Sequence, residues 1–268
     1  MMRSRIEING DVAGAEDLQQ LALVNYGHFT SMQVRGGCVR GFDLHVQRLA
    51  DATRELFGSE LDTDATRRYI RHALEGVNEP QSLRVTVFAR EFDRMRPEQS
   101  PSPDVLVSTS SARDNTRIAP LRVRSIHYQR EFPHIKHVGT FALFHHQRLA
   151  RLAGFDDALF TTPTGDISEG SIWNVGFWDG DRVVFPTVPA LRGVTLQLLE
   201  IGLRRQGVAY AHRNVNLSDL ASLQAAFTMN SGALGQPIAS IDACEFNGDP
   251  QLATLLQIAY ESNPPQLV

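Results

Sequence analysis

His134-Ile135-Lys136-His137, Gly165-Asp166-Ile167-Ser168-Glu169-Gly170-Ser171-Ile172-Trp173-Asn174 and Leu191-Arg192-Gly193-Val194-Thr195 are the stretches on which the fold turns. In chain order they supply a lysine, a carboxylate at the entry to a strand, and a glycine that opens a helix. Lys136 is the only lysine in the chain. It follows Phe132-Pro133 and precedes Val138, an apolar setting where a lysine is costly unless paired or functional. Desolvation would lower its pKa and make it a nucleophile toward an aldehyde. The blander role is a surface lysine in a loop.

Outward from this stretch, strands and helices mix in both halves. On the N-terminal side, strands are expected at Arg5 to Ile8, Gly27 to Val34 and Cys38 to Arg40, with a hairpin turn at Arg35-Gly36-Gly37. Leu44, Leu49, Ala52 and Leu56 fall near helical spacing, so a helix runs from Asp43 to Phe57 and stops at Gly58. A second helix covers Asp64 to Leu74, capped by Asp62 or Thr63. Strands follow at Leu83 to Ala89 and Asp104 to Ser108, separated by an arginine- and proline-rich loop.

The polar run from Ser110 to Ala119 reads as a linker. It sets a first domain at residues 1–111, the linker at 112–119 and a second domain at 120–268. The second half reads as a strand at Leu121 to His127, a helix at Thr140 to Gly154, and strands at Ala158 to Thr161, Trp173 to Trp178 and Arg182 to Phe185. An amphipathic helix at Val194 to Gln206, a strand at Ala225 to Asn230 and a closing helix at Gln251 to Ser262 complete it. The strand at Ala225 to Asn230 runs into Ser231 to Gly235, with a small-residue loop at Asn230-Ser231-Gly232. Hairpins and crossovers together argue for an α+β (mixed α/β) architecture in two domains.

Bulk properties exclude several classes. The net charge of −4 gives no electrostatic case for nucleic acid. Cys38 and Cys244 cannot build a disulfide framework, so a reducing compartment is the simpler expectation. Met1 to Asp11 has no continuous apolar core, so neither a signal peptide nor a membrane span is expected. A soluble cytoplasmic protein follows. His134 and His137, with His145-His146, suggest a metal, but no carboxylate or cysteine completes a set at a recognised spacing. No Gly-x-Ser-x-Gly elbow marks a serine hydrolase.

Taken together, a lysine for an aldehyde, a carboxylate for a ring nitrogen and a helix start for a phosphate are the parts needed to hold pyridoxal 5'-phosphate. Glu169 would keep the ring nitrogen protonated; most glutamates in such a position are merely solvated. Gly193-Val194-Thr195 offers helix-start amides and a hydroxyl, and Asn230-Ser231-Gly232 more donors, although ordinary helix starts outnumber phosphate sites. Arg48 could add a charged contact.

These motifs, with Phe29 and His45-Val46-Gln47-Arg48-Leu49, stand in the order in which they occur in the fold-type IV pyridoxal-phosphate enzymes, which the chain resembles over nearly its full length. That group includes branched-chain and D-amino-acid aminotransferases and aminodeoxychorismate lyase. The resemblance implies a small N-terminal α/β domain and a larger C-terminal domain with the cofactor between them, in a homodimer. It implies that Lys136 forms the Schiff base and moves the Cα proton, and that Glu169 meets the pyridine nitrogen. It assigns Arg48, Val194, Thr195 and Ser231 to the phosphate and Leu191 to the ring, with Gly193 and Asn230 beside them.

The expected activity is aminotransfer between an amino acid or amine and a keto acid. Phe29-Thr30-Ser31 and the Lys136-His137 pair lean toward the lyase, which releases pyruvate; a cofactor-binding protein without turnover is the further alternative. Gly139 and Phe141 replace the asparagine and tyrosine usual after the lysine. For the substrate, Phe29, Thr30, Arg96, Tyr128 and Arg130 are the candidates, with Arg90 and Arg94 able to contribute charge.

Overall fold

The computed structural model describes residues 5–112 and 119–268. The chain forms two compact units: Met1–Arg113 with Ile135–Gly139 and Pro265–Val268, and Asp114–His134 with Thr140–Pro264.

The first unit contains β1 (Ile6–Ile8), β2 (Asp11–Val12), α1 (Gln19–Leu23), β3 (His28–Val34), β4 (Cys38–Arg40), α2 (Phe42–Phe57), α3 (Thr63–Leu74), β5 (Gln81–Phe88) and β6 (Asp104–Ser111). An antiparallel sheet runs β2-β1-β6-β5-β3. Phe42, His45, Val46, Leu49, Thr53 and Phe57 recur every three or four residues along α2 and are all buried. The apolar members of that stripe join Leu83, Val85 and Val87 of β5 and Val105 and Val107 of β6 in one core. Each large apolar side chain removed from water contributes about 1.5–3 kcal/mol. Gly58 ends α2 at φ +62°, a conformation that penalises any Cβ. The Asp62 carboxylate caps α3 by accepting from the Ala65 amide at 2.8 Å.

The second unit contains β7 (Leu121–His127), α4 (Phe141–Leu152), β8 (Asp157–Thr161), β9 (Ile167–Gly170), β10 (Asn174–Trp178), β11 (Val183–Pro186), α5 (Val194–Arg205), β12 (Tyr210–Arg213), β13 (Ala225–Asn230), β14 (Ala233–Ile241), β15 (Cys244–Glu245) and α6 (Pro250–Glu261). Its sheet runs β12-β11-β10-β13-β14-β7-β8-β9, and β9 pairs back onto β10 through Glu169 and Asn174. The path from β10 through β13, β14, β7, β8 and β9 is therefore closed into a ring. α4 and α5 are crossovers between the parallel pairs β7–β8 and β11–β12.

α5 and α6 share a core with the sheet, with Leu199, Leu203, Leu252 and Leu256 among Phe185, Phe227 and Met229. Their axes approach closely at Gly202, where an added Cβ would lie 1.8 Å from the Ala259 carbonyl oxygen. Backbone cannot yield as a flexible side chain can. Gly202→Ala is therefore expected to destabilise the protein by roughly 2–4 kcal/mol, read as a lower denaturation midpoint at unchanged slope. An unchanged midpoint would mean that the helices separate freely.

The architecture is the mixed one expected, with these differences. The Gly36-Gly37 turn forms, but β4 leaves its hairpin after the Arg35–Cys38 bridge and pairs with the last strand, Pro265–Leu267. β6 continues to Ser111 because Gln81 and Ser82 hydrogen-bond across to it, so pairing overrides polar composition. Of the expected linker at 112–119, residues 113–118 lie outside the described residues. Ala233 to Ile241 is a strand with no counterpart among those expected, since β13 and β7 both supply main-chain partners. Glu169, expected at the entry to the strand at Trp173, lies in a short strand of its own, β9. The Ile135–Gly139 segment groups with the first unit, whereas a division at one linker places it in the second. No helix among the described residues is long and apolar enough to cross a membrane.

Candidate active site

The residues singled out in the sequence fall in both units. In the first, the Lys136 carbonyl accepts from the Phe29 amide at 2.9 Å, and the Val138 amide donates to the Gly27 carbonyl at 2.9 Å. These bonds hold the lysine segment along the start of β3. Lys136 Nζ lies 5.0 Å from the centroid of the Phe29 ring, and the Arg84 guanidinium carbon lies 3.6 Å from the same centroid. Arg48, on α2, donates from Nη2 to the Thr30 hydroxyl. Thr30 is fully buried, with its Oγ1 2.6 Å from His45 Nδ1. The structure thus brings Lys136, Phe29, Thr30 and Arg48 together. Thr30, expected at the substrate, has its hydroxyl engaged inside the protein instead.

In the second unit Asn174 is the hub. On β10 it pairs with Glu169 of β9 on one side and Met229 of β13 on the other. Its Nδ2 donates to the Leu191 carbonyl at 2.7 Å. A Cβ at position 193 would sit 2.2 Å from Asn174 Oδ1, so Gly193 is required for this approach. Glu169 is buried; its Oε2 accepts from the Leu191 amide at 3.3 Å and its Oε1 lies 3.6 Å from Arg130 Nη1. Burying both charges is tolerable only because each faces the other.

Just beyond, the turn between β9 and β10 is pinned by Asp157. Its carboxylate accepts from Ser171 Oγ at 2.6 Å and from Trp173 Nε1 at 3.1 Å. α5 starts at Gly193 with no side-chain cap, and Val194 and Thr195 are buried in its first turn. The leading amides of a helix have no intrahelical acceptors. Among the described residues no hydrogen bond engages the Thr195 or Ser231 hydroxyl. A cavity of about 360 Å³ borders this segment, lined in part by Ser168, Asn174, Leu191, Leu196 and Glu200.

Other candidates have different roles. Asn230 Oδ1 accepts from the Gly232 and Ala233 amides, both at 2.8 Å, so it shapes the β13–β14 turn that presents Ser231. Arg96 is exposed and paired with Asp93 of its own loop at 2.8 Å. The Tyr128 ring packs on His146 and Phe160, with centroids 4.7 and 4.8 Å away. The sequence reasoning passed over Arg84, which alternates outward on β5 like any solvated strand residue. It remains solvent-accessible, and among the described residues no carboxylate lies within ion-pair distance of it. Surrounding protein pulls its pKa below the ordinary guanidinium value. It also missed His45, which looked like one more member of a helix face. Among the described residues no group of three or more metal-ligating side chains is found.

A family model described as "Amino-transferase class IV" matches residues 27–241. No curated protein sequence matches the chain. Among solved structures, a branched-chain aminotransferase from Thermoproteus uzoniensis with norvaline is similar at 16% identity, covering 96% of this chain and 94% of that one, TM-score 0.82. A hypothetical aminotransferase from Mycobacterium tuberculosis, in a PLP-bound form, is similar at 20% identity, covering 97% and 99%, TM-score 0.80. The branched-chain amino acid aminotransferase of Escherichia coli is similar at 17% identity, covering 94% and 92%, TM-score 0.81. At these identities the likeness establishes a shared fold.

Proposed function

The chain belongs to the amino-transferase class IV family, and from that premise we propose that it is a pyridoxal-phosphate-dependent aminotransferase, passing an amino group from an amino acid or amine to a keto acid. The observation that carries the reading is the placement of the chain's sole lysine, main-chain-bonded to β3 beside the Phe29 ring and in the unit that holds Arg48. The donor set suits the cofactor. In the second unit, a helix start without a side-chain cap and two hydroxyls that no hydrogen bond engages among the described residues suit a phosphate, and the first unit offers an arginine. A buried carboxylate matches a protonated ring nitrogen, and the Leu191 side chain offers an apolar surface to a flat ring. A homodimer in the cytoplasm is part of the proposal.

When bound, the cofactor supplies an aldehyde that condenses with amines and a ring that accepts the electrons released at Cα. Lys136 Nζ would be the group that holds that aldehyde. The same amine would take up and give back the proton at the donor's Cα. Glu169, ionised beside Arg130, holds a proton on the ring nitrogen. In the second unit Val194 and Thr195 at the start of α5 and Ser231 would be the donors to the phosphate, and in the first unit Arg48 would be the charged one. Arg84, with no carboxylate within ion-pair distance among the described residues, would receive the substrate carboxylate.

The decisive experiment incubates the protein with pyridoxal phosphate, reduces it with borohydride and maps the label, then screens amino donors by the loss of aldehyde-form absorbance. Label on Lys136, donor-dependent conversion and its reversal by a keto acid are expected. Absence of label at Lys136 overturns the proposal. Pyruvate release without accumulation of the amine form moves the assignment to a lyase, and label without any response to amines moves it to a binding protein. Glu169→Gln keeps the shape and removes the charge. It is expected to slow Cα proton transfer by about 10²-fold or more while cofactor affinity falls less than about tenfold. An unchanged rate would reassign Glu169 to structure.

A further inference from the structure

We infer that His45 is a positioning residue that fixes the phosphate-binding guanidinium of Arg48 through the Thr30 hydroxyl. The inference rests on the assignment of Arg48 to the phosphate proposed above. Arginine carries only donors, so the Thr30 oxygen accepts from Arg48 Nη2. The single proton of that hydroxyl is then directed to His45 Nδ1, 2.6 Å away. His45 must accept there, which leaves its proton on Nε2 and the ring neutral. The relay therefore has one sense: Arg48 to Thr30 to His45.

Every neighbour enforces it. His45 is 2% exposed and Thr30 0% exposed, so water cannot replace either partner. Burial first, then the positive charges of Arg48 and Lys136, hold the His45 pKa well below its ordinary value. Arg48 Nη2 also stands 3.5 Å from Nδ1, where a protonated ring would meet like charge. His45 and Arg48 are three apart on one face of α2, while Thr30 comes from β3, whose register is set by Val85 of β5. An arginine on a helix alone samples many rotamers. Tied to a strand hydroxyl whose own rotor is fixed by an imidazole, its fork has one orientation. A neutral, enclosed ring with Nδ1 engaged is unsuited to proton transfer with substrate.

The test compares pyridoxal phosphate with pyridoxal, which lacks the phosphate, by equilibrium binding to the full-length protein freed of cofactor. His45→Leu is expected to weaken pyridoxal phosphate about tenfold or more while pyridoxal changes less than about threefold. His45→Asn, which restores an acceptor near the Nδ1 position, recovers most of the loss. Thr30→Val repeats the defect, and Thr30→Ser does not. In an Arg48→Met background, His45→Leu adds nothing further, because both changes act on one contact. Equal losses for both ligands, additive losses in the double variant, or no rescue by asparagine overturns the inference. If His45→Leu does not fold, the Thr30 pair and His45→Asn decide it by the same ligand comparison. A wild-type protein that binds both ligands equally overturns instead the assignment of Arg48 to phosphate.

Discussion

Lys136→Ala is expected to lower turnover by at least ~10⁴-fold and leave the protein folded. No second side-chain amine exists in the chain to replace it. The covalent hold on the cofactor and the proton transfer at Cα would be lost in one step. The fold should survive because the segment is held by its main chain, through the Phe29 amide to the Lys136 carbonyl and the Val138 amide to the Gly27 carbonyl, both 2.9 Å. The contact of its ammonium with the Phe29 ring is worth about 0.5–1 kcal/mol in such settings. Lys136→Arg separates the two effects. It keeps the charge near Phe29 but offers no amine able to condense with an aldehyde, so stability should return without activity. Steady-state rates over a panel of donors, read beside denaturation midpoints, check both. Turnover retained in either variant would remove Lys136 from the chemistry.

What was legible in the sequence follows from where the information lies. α2 was readable because its apolar residues recur at helical spacing and Gly58 ends it, both local signals. Lys136 stood out because nothing else in the chain is a lysine. Its grouping with the first unit did not show, because the bonds that fix it come from Gly27 and Phe29, more than a hundred residues upstream. Glu169 reads as a carboxylate at a strand entry because a Pro163-Thr164-Gly165 turn precedes it and β9 is short; its burial comes from the pairing of β9 with β8 and β10 together, which has no local signal. Asn230 reads from the sequence as a donor near the phosphate; its Oδ1 accepts from two amides of its own turn, and its Nδ2 donates at 3.4 Å to the Ile172 carbonyl, a tertiary contact with no local signal. Arg96 was chosen for charge, and a carboxylate three residues away already pairs with it. Arg84 was overlooked since periodicity marks it only as outward-facing. Its distinction, a ring beneath it and no carboxylate beside it, depends on the register that sets β3 against β5.

Acid should destabilise the first unit well before its carboxylates titrate. His28 is 1% exposed; burial, then the charge of Arg48, pushes its pKa down to about 3. Its Nε2 lies 3.0 Å from Thr53 Oγ1, and that hydroxyl itself donates to the Leu49 carbonyl at 2.8 Å. The oxygen therefore accepts from His28, which fixes the Nε2–H tautomer. In the unfolded chain the ring recovers an ordinary pKa near 6.5. The folded value is the lower one, so the unfolded state binds the extra proton, and the stabilisation is complete only above about pH 6.5. It is lost progressively as pH falls from there toward 3. At pH 5 the loss from His28 alone is about 2 kcal/mol. His45, also buried and neutral, acts with the same sign. Carboxylates held below their usual range, such as Asp93 through Arg96 and Asp43 through Arg67, begin to lose their partners only near pH 4, so the interval from 6.5 to 4.5 isolates the histidines. Denaturation midpoints at half-unit pH steps should fall across that interval, with unfolding taking up close to two protons. His28→Gln keeps a donor to Thr53 without a titrating ring and should lower that uptake by about one. A midpoint flat between pH 7 and 4.5 would show that these imidazoles are protonated in the folded chain, and the tautomers assigned to both would fall with it.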